Sequence, residues 1–445
     1  MSGIAELLVN LGYAVSGSDA KRSDITDRLA SLGVRVSEGH DARHQADADV
    51  VVVSSAVAAD NPEVVAARAR HVPVIPRAEM LAELMRLRFG IAIAGAHGKT
   101  TTTSMVALML ERAGLDPTAV IGGRLSAFGS NARLGQGRYM VAEADESDRS
   151  FLKLSPTVAV ITNIDREHMD TYGSFDRLVD AFADFADRVP FYGAVVACAD
   201  DPATAALLPR ITRRVITYGF SEDAAVRGED PVTDGRSGSC RVAFNCGDQH
   251  GEGRLHLHVP GRHNLQNALA AVAVGLELGV AFDRIVAALA EFRGAERRYQ
   301  QRGVARNVTV IDDYGHHPTE IAAVLRAARD GRPSRIVAVF QPHRFTRTRD
   351  LLEAFGPALG LADVVVLTDI YAAGEAPIAG VTLDVLARVV RPAVRELHVV
   401  PAIGDVPRAV AGLVRPGDVV ITLGAGSIGA AGDRILAAIE TEGAA

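Results

Sequence analysis

Cysteine is scarce in this chain: Cys198, Cys240 and Cys246 are the three in 445 residues. So few, so irregularly spaced, exclude a disulfide framework and point to a reducing compartment, the cytoplasm. No apolar run approaches the ~18 residues of a membrane span, so no membrane partner is expected. No basic segment leads an apolar one at the N-terminus, and export is not expected. An excess of positive charge is also missing. The formal net charge is −7, which argues against nucleic acid as a main partner. No solenoid-type repeat or low-complexity tract is present. The oligomeric state is not readable; monomer and homodimer both stay open.

What the chain has in quantity is short β-branched apolar runs alternating with helical patterns, the signature of an α/β fold with parallel sheets. A first block, residues 1–88, has strands expected near 13–18, 34–36, 50–54 and 72–75 and closes in a helix over 78–88. A second, 89–294, has strands expected at 90–94, 139–143, 158–162, 194–197 and 215–218, with helical pattern over 264–278. Its stretch 221–261 is rich in Gly, Asp and Ser and reads as an antiparallel excursion. The histidines of Leu255-His256-Leu257-His258-Val259 fall on one exposed strand face and receive no role. A third block, 295–445, has strands expected at 308–312, 335–340, 364–368, 397–400 and 418–423. A chain of this length can bury three separate cores.

The most informative stretch is Gly95-Ala96-His97-Gly98-Lys99-Thr100-Thr101-Thr102-Thr103. Strand, glycine turn, Lys-Thr and helix are the layout of a triphosphate cradle. Gly95 and Gly98 let backbone N–H groups approach phosphates, and the helix N-terminus adds positive potential. Lys99 suits terminal phosphate oxygens, Thr100 suits Mg²⁺, and Thr101 continues a run of hydroxyls at the cradle. The turn is shorter than the standard motif, with Ile93 where its first glycine would stand. A plain glycine turn is the competing reading; the Lys-Thr pair and the hydroxyl run favour ATP.

The acidic run Glu143-Ala144-Asp145-Glu146-Ser147-Asp148 follows a strand, at the sheet edge where ligands of open α/β sheets gather. Glu143 is therefore a candidate metal ligand opposite Thr100, against the reading of a solvated acidic loop. Asp165-Arg166-Glu167-His168-Met169-Asp170 lies at another strand end, and His168 with its neighbouring carboxylates suits a second divalent ion. An ordinary surface histidine is the alternative. Arg344 and Arg347, three apart, suit one carboxylate if they share a helical turn; a surface arginine cluster is the other reading. His316-His317-Pro318 reads equally as a helix entry with Pro318 in the first position.

The segments at 95–103, 143–150, 162–172, Gly261-Arg262-His263-Asn264-Leu265-Gln266-Asn267, Asp312-Asp313-Tyr314-Gly315-His316-His317-Pro318 and 340–348 resemble the Mur ligases of peptidoglycan synthesis, and within them the alanine-adding branch. They lie in order over nearly the whole chain. The resemblance implies a three-domain architecture: a Rossmann-like UDP-sugar domain (1–88), a P-loop-type central ATPase domain (89–294) and a Rossmann-like C-terminal domain (295–445). It implies ATP and Mg²⁺ as cofactors, and UDP-N-acetylmuramate and L-alanine as substrates joined through an acyl phosphate. A murein-peptide ligase acting on the same sugar is the alternative. Lys99 is then expected on the ATP phosphates, Thr100 with Glu143 on a first Mg²⁺, and His168 on a second. Asn264 and Asn267 match positions near adenine, and Arg297 and Asp313 match residues that close over the nucleotide. Tyr314, His316, His343, Arg344 and Arg347 match the region that receives L-alanine.

Two departures accompany the resemblance. Several related ligases carry a carbamylated lysine about a dozen residues past the His-x-Asp motif; residues 176–188 hold no lysine, so no carbamate is expected. Family members also begin with a strand and a glycine-rich turn that binds the UDP diphosphate. This sequence starts at Met1-Ser2-Gly3-Ile4, as if inside that turn. A start called at an internal methionine, or a truncated chain, is expected from it, with a loosened first domain and impaired UDP binding.

Overall fold

The computed structural model describes residues 1–441 except 46, 55 and 126–129. Two compact units emerge. One comprises Met1–Asp165, Thr171–Tyr218 and Ala273–Arg284; the other comprises Arg166–Asp170, Gly219–Val272 and Ile285–Ala445.

In the first unit, the strands of residues 1–88 are β1 (Ser16–Asp19), β2 (Arg35–Glu38), β3 (Val51–Val53) and β4 (Val74–Pro76). They form two separate parallel pairs, β1–β2 and β3–β4. Beyond them run β5 (Phe89–Ala94), β6 (Thr118–Leu125), β7 (Ser130–Arg133), β8 (Tyr139–Glu143), β9 (Val158–Ile161), β10 (Ala194–Cys198) and β11 (Val215–Gly219). These lie in the order β11-β10-β9-β5-β8-β6-β7, parallel except for β7 against β6. Ile91, Ala92, Ile93 and Ala94 are wholly buried. A continuous apolar run is what a parallel strand covered on both faces requires.

The helix Lys99–Arg112 follows β5 and is buried from Thr100 to Leu110 on every side. It is a core helix with no solvent stripe. The antiparallel excursion expected at 221–261 is present in the second unit as β12 (Val226–Thr233), β13 (Gly238–Cys246) and β14 (Gln249–Leu257), antiparallel in succession. Leu255 and Leu257 are buried while His256 and His258 are exposed, the alternation of a half-buried strand.

The second unit also holds β15 (Gln300–Ala305), β16 (Val308–Asp313), β17 (Ile336–Phe340), β18 (Val364–Leu367), β19 (Glu396–Val399) and β20 (Val419–Leu423), ordered β15-β16-β20-β17-β18-β19. All pair in parallel except β15 with β16. Apolar clusters cover both faces: one includes Ile321, Leu325, Phe340 and Phe355, the other Val337, Val339, Val410 and Ile435. The carboxyl ends of β16 and β17 deliver 314–317 and 341–347, the segments that carry its candidate chemistry. No helix among the described residues is long and apolar enough to cross a membrane.

Candidate active site

In the first unit the carboxyl ends of β5, β8 and β9 bring three quoted motifs together. The chain leaves β5 through Gly95 at φ 134° and enters the helix through Gly98 at φ 82°. A Cβ on Gly95 would stand 2.0 Å from Thr162 Oγ1, so only glycine fits there. The loop is pinned from β9's end. Asn163 accepts from the His97 N–H at 2.8 Å and donates to the His97 carbonyl at 3.0 Å, and the Thr162 hydroxyl donates to that carbonyl at 2.7 Å. The His97 ring meets Asp165 at 2.9 Å. The turn held this way leads directly into the N-terminus of the helix Lys99–Arg112, an end that favours an anion.

Thr100 and Glu143 meet as expected: the Thr100 hydroxyl lies 3.0 Å from Glu143 Oε2, which also accepts from the Gly122 N–H at 2.9 Å. A hydroxyl and a carboxylate side by side are hard oxygen donors of the kind Mg²⁺ takes. Lys99 reaches the Gly95 carbonyl at 2.6 Å and Glu146 Oε1 at 2.8 Å. Burial pulls the Lys99 pKa down, but Glu146, Glu143 and Asp145 outweigh it, and the ammonium is held well above its usual value. Burial pushes the Glu146 carboxyl up to about 7, against the pull of Lys99. The Tyr172 hydroxyl donates to the Glu146 carbonyl at 2.6 Å.

The hydroxyl run divides. Thr100 reaches Glu143 and Thr101 lies in the helix's first turn, but Thr102 and Thr103 are fully buried in the core. They are not part of the cradle, because a helix turns 100° per residue and carries them to its packed faces.

In the second unit, His168 stands at φ 57° with its Nε2 3.5 Å from Glu167 Oε2. Glu167 accepts from Arg347 Nε at 3.1 Å, and both are nearly buried, at 7% and 11% exposure. Arg347 also donates to the His343 carbonyl at 3.3 Å. Glu167, His168, Arg344, Thr346, Arg347 and Asp350 are among the residues lining one cavity.

The expected geometry of the arginine pair needs correction. Arg344 precedes the helix Phe345–Asp350, at φ 73° and ψ 141°, so the two do not share a helical turn. Their nearest carboxylates differ: Glu167 for Arg347, Glu375 at 4.0 Å for Arg344. Both still line the cavity.

Beside them, rings form a row. Tyr314 meets His316 at 5.5 Å, His316 meets His343 at 5.6 Å, and His343 stacks on Tyr371 at 5.7 Å. Burial lowers His316 to about 4 and His343 to about 3, so both rings are neutral at pH 7. His317 takes the helix-entry reading: it caps Pro318–Asp330 with a reciprocal Glu320 contact and Pro318 in the first turn.

Arg297 is held by Asp312 at 2.9 Å and by the Gly424 carbonyl, with its guanidinium 5.1 Å from the Tyr314 ring. Asp313 accepts from the Tyr299 and Gly315 N–H groups, each at 2.7 Å, and burial pushes its carboxyl up to about 6. Asn264 and Asn267 are buried on the helix Arg262–Glu277; Asn264 donates to the Pro260 carbonyl at 2.7 Å.

Sequence reasoning missed Glu146, Asn163, Tyr371 and Glu375. Glu146 and Asn163 lay inside quoted motifs, where a strand end beside a lysine loop was the available signal. Tyr371 and Glu375 carried none.

Three family models match: "Mur ligase family, catalytic domain" over 1–89, "Mur ligase middle domain" over 93–275 and "Mur ligase, glutamate ligase domain" over 297–426. The UDP-N-acetylmuramate–L-alanine ligase of Anaeromyxobacter sp. (strain Fw109-5) is 55% identical, covering 99% of this chain and 95% of that one. The solved UDP-N-acetylmuramate–alanine ligase of Thermotoga maritima is 30% identical, with TM-score 0.82, over 99% and 97% of the two chains. A murein peptide ligase from Psychrobacter arcticus, 24% identical with TM-score 0.73 over 99% and 96%, shares the fold.

Proposed function

Because the chain belongs to the Mur ligase family, we propose that it joins L-alanine to UDP-N-acetylmuramate with conversion of ATP to ADP and phosphate, in peptidoglycan precursor synthesis. The observation that carries this is identity of 55% over 99% of the chain to a relative named for that activity.

A carboxylate in water does not accept an amine, so the muramoyl carboxylate is first phosphorylated. Lys99, at the helix N-terminus, offsets charge as that oxygen approaches the γ-phosphorus. Thr100 and Glu143 would hold Mg²⁺, which when bound withdraws charge from the phosphate oxygens. His168 beside Glu167 is proposed for a second ion. Asn264, Asn267, Arg297 and Asp313 are proposed for the nucleotide, on their place in the family's motifs.

Arg344 presents a planar guanidinium that suits the alanine carboxylate. Tyr314 and the neutral rings of His316 and His343 form the adjoining wall, where an imidazolium would repel the substrate's ammonium. The ammonium gives up a proton to water, the neutral α-amine attacks the acyl phosphate, and the tetrahedral intermediate loses its extra N–H proton and expels phosphate. A chain driven by ATP belongs in the cytoplasm, where that nucleotide is supplied.

Phosphate release measured with UDP-N-acetylmuramate and, in turn, L-alanine, glycine, L-serine and the murein tripeptide tests the reading. L-alanine should give the highest kcat/KM. Preference for the tripeptide would replace the reading with the murein-peptide one.

A further inference from the structure

Two short segments of the second unit stand in backbone conformations that L-residues rarely adopt, and they are tied to each other. Arg344 has φ 73° and ψ 141°. Ala373 and Gly374 have φ 50° and 87°, with the Glu375 N–H bonded to the Ala372 carbonyl at 3.0 Å. Two positive φ values inside such a bond are the pattern of a type I′ turn, which disfavours alanine. Strain of this kind persists only where the surroundings over-determine it.

The ties are specific. The Arg344 N–H donates to the Tyr371 carbonyl and the Tyr371 N–H to the Pro342 carbonyl, both at 2.8 Å. Glu375 accepts from the Thr346 N–H at 3.0 Å and from the Thr346 hydroxyl at 2.6 Å. Its carboxyl is held below the usual range by these bonds, which outweigh burial. The carboxylate therefore grips the chain on the far side of Arg344 while Tyr371 grips Arg344 itself.

The consequence falls on the arginine side chain. Glu375 Oε1 is 4.0 Å from Arg344 Nη1, beyond hydrogen-bond distance, and Arg344 is 40% exposed. Among the described residues no side-chain hydrogen bond is recorded for its guanidinium. Arg347 differs: its Nε and Nη1 are engaged by Glu167 and His343.

Resting on the proposed amino-acid site, we infer that Glu375 is a positioning residue for L-alanine binding: by clamping Thr346 and the strained Arg344 backbone, it aims Arg344, rather than Arg347, at the substrate carboxylate.

The test is steady-state kinetics on the full chain, varying each substrate in turn, with Glu375→Ala, Glu375→Gln, Arg344→Ala and the Arg344→Ala/Glu375→Ala double variant. Glu375→Ala should raise KM for L-alanine roughly tenfold, the scale of a lost charge-assisted bond, with KM for ATP and kcat little changed. Glu375→Gln, whose amide oxygen still accepts from Thr346, should recover most of that loss. The double variant should be no worse for L-alanine than Arg344→Ala, because aiming an absent side chain has no effect. Arg344→Ala raising KM for L-alanine while Glu375→Ala does not would overturn the inference alone. A silent Arg344→Ala would overturn the amino-acid site and the inference with it. Equal loss in all three KM values with Glu375→Ala and Glu375→Gln alike would reduce Glu375 to a structural residue.

Discussion

The Lys99 ammonium lies 2.8 Å from a Glu146 carboxylate that is only 2% exposed. The lysine proposed for the ATP phosphates thus has a buried counter-charge within the chain itself. Removing one partner of such a pair costs at most roughly 3–5 kcal/mol, and less where the carboxyl left behind takes up a proton.

Lys99→Ala should therefore lose both ligation and stability, and Lys99→Ala/Glu146→Gln should regain stability without activity. Chemical denaturation together with phosphate release separates the two effects. A double variant that stays as unstable as Lys99→Ala would contradict the pairing.

Arg347→Ala should destabilise by about 2–4 kcal/mol, because it strips the nearly buried Glu167 carboxylate of its guanidinium partner and leaves His168 beside it, and Arg344→Ala by less than about 0.5 kcal/mol, as for a half-exposed side chain. Thermal melts of the two variants decide this; equal shifts would contradict the distinct roles.

Gly122→Ala should raise the Mg²⁺ concentration needed for half-maximal activity. A Cβ there would sit 2.6 Å from Glu143 Oε2, pushing the carboxylate off Thr100. A Mg²⁺ titration at saturating ATP reads it, and an unchanged midpoint would remove Glu143 from the metal site.

Acid should destabilise the fold through its partly buried histidines. His316 titrates near 4 when folded, against about 6.5 in an unfolded chain. Its stabilising contribution is complete above pH ~6.5 and is lost as pH falls through 4, roughly 3 kcal/mol in all. His316→Gln should flatten stability between those values, measured by denaturant midpoints; an unchanged slope would contradict a neutral, partly buried ring.

The phosphate loop is legible in sequence because its determinants are local: a buried strand, glycines where φ is positive, and a Lys-Thr pair opening a helix. Strands β8 and β9 are legible for the same reason, as short apolar runs with chemistry at their carboxyl ends. Strands β6 and β15 escape such reading. Gly122-Gly123 interrupts the first, and Gln300-Gln301-Arg302-Gly303 presents no apolar period.

The arginine spacing misleads because it assumes a helical turn that includes both residues, whereas the helix begins at Phe345, one residue after Arg344. Glu375 is invisible for a different reason. It lies 29 residues beyond Thr346 and meets it only through the β17–β18 crossover, so no local pattern records the contact. Non-local pairing of this kind is what a single sequence cannot show.

The most direct test follows oxygen. With UDP-N-acetylmuramate labelled with ¹⁸O in the muramoyl carboxylate, ATP, Mg²⁺ and L-alanine, the account predicts one ¹⁸O in each phosphate released and one L-alanine amide formed per phosphate. Unlabelled phosphate, or labelled phosphate without the alanine amide, would contradict it.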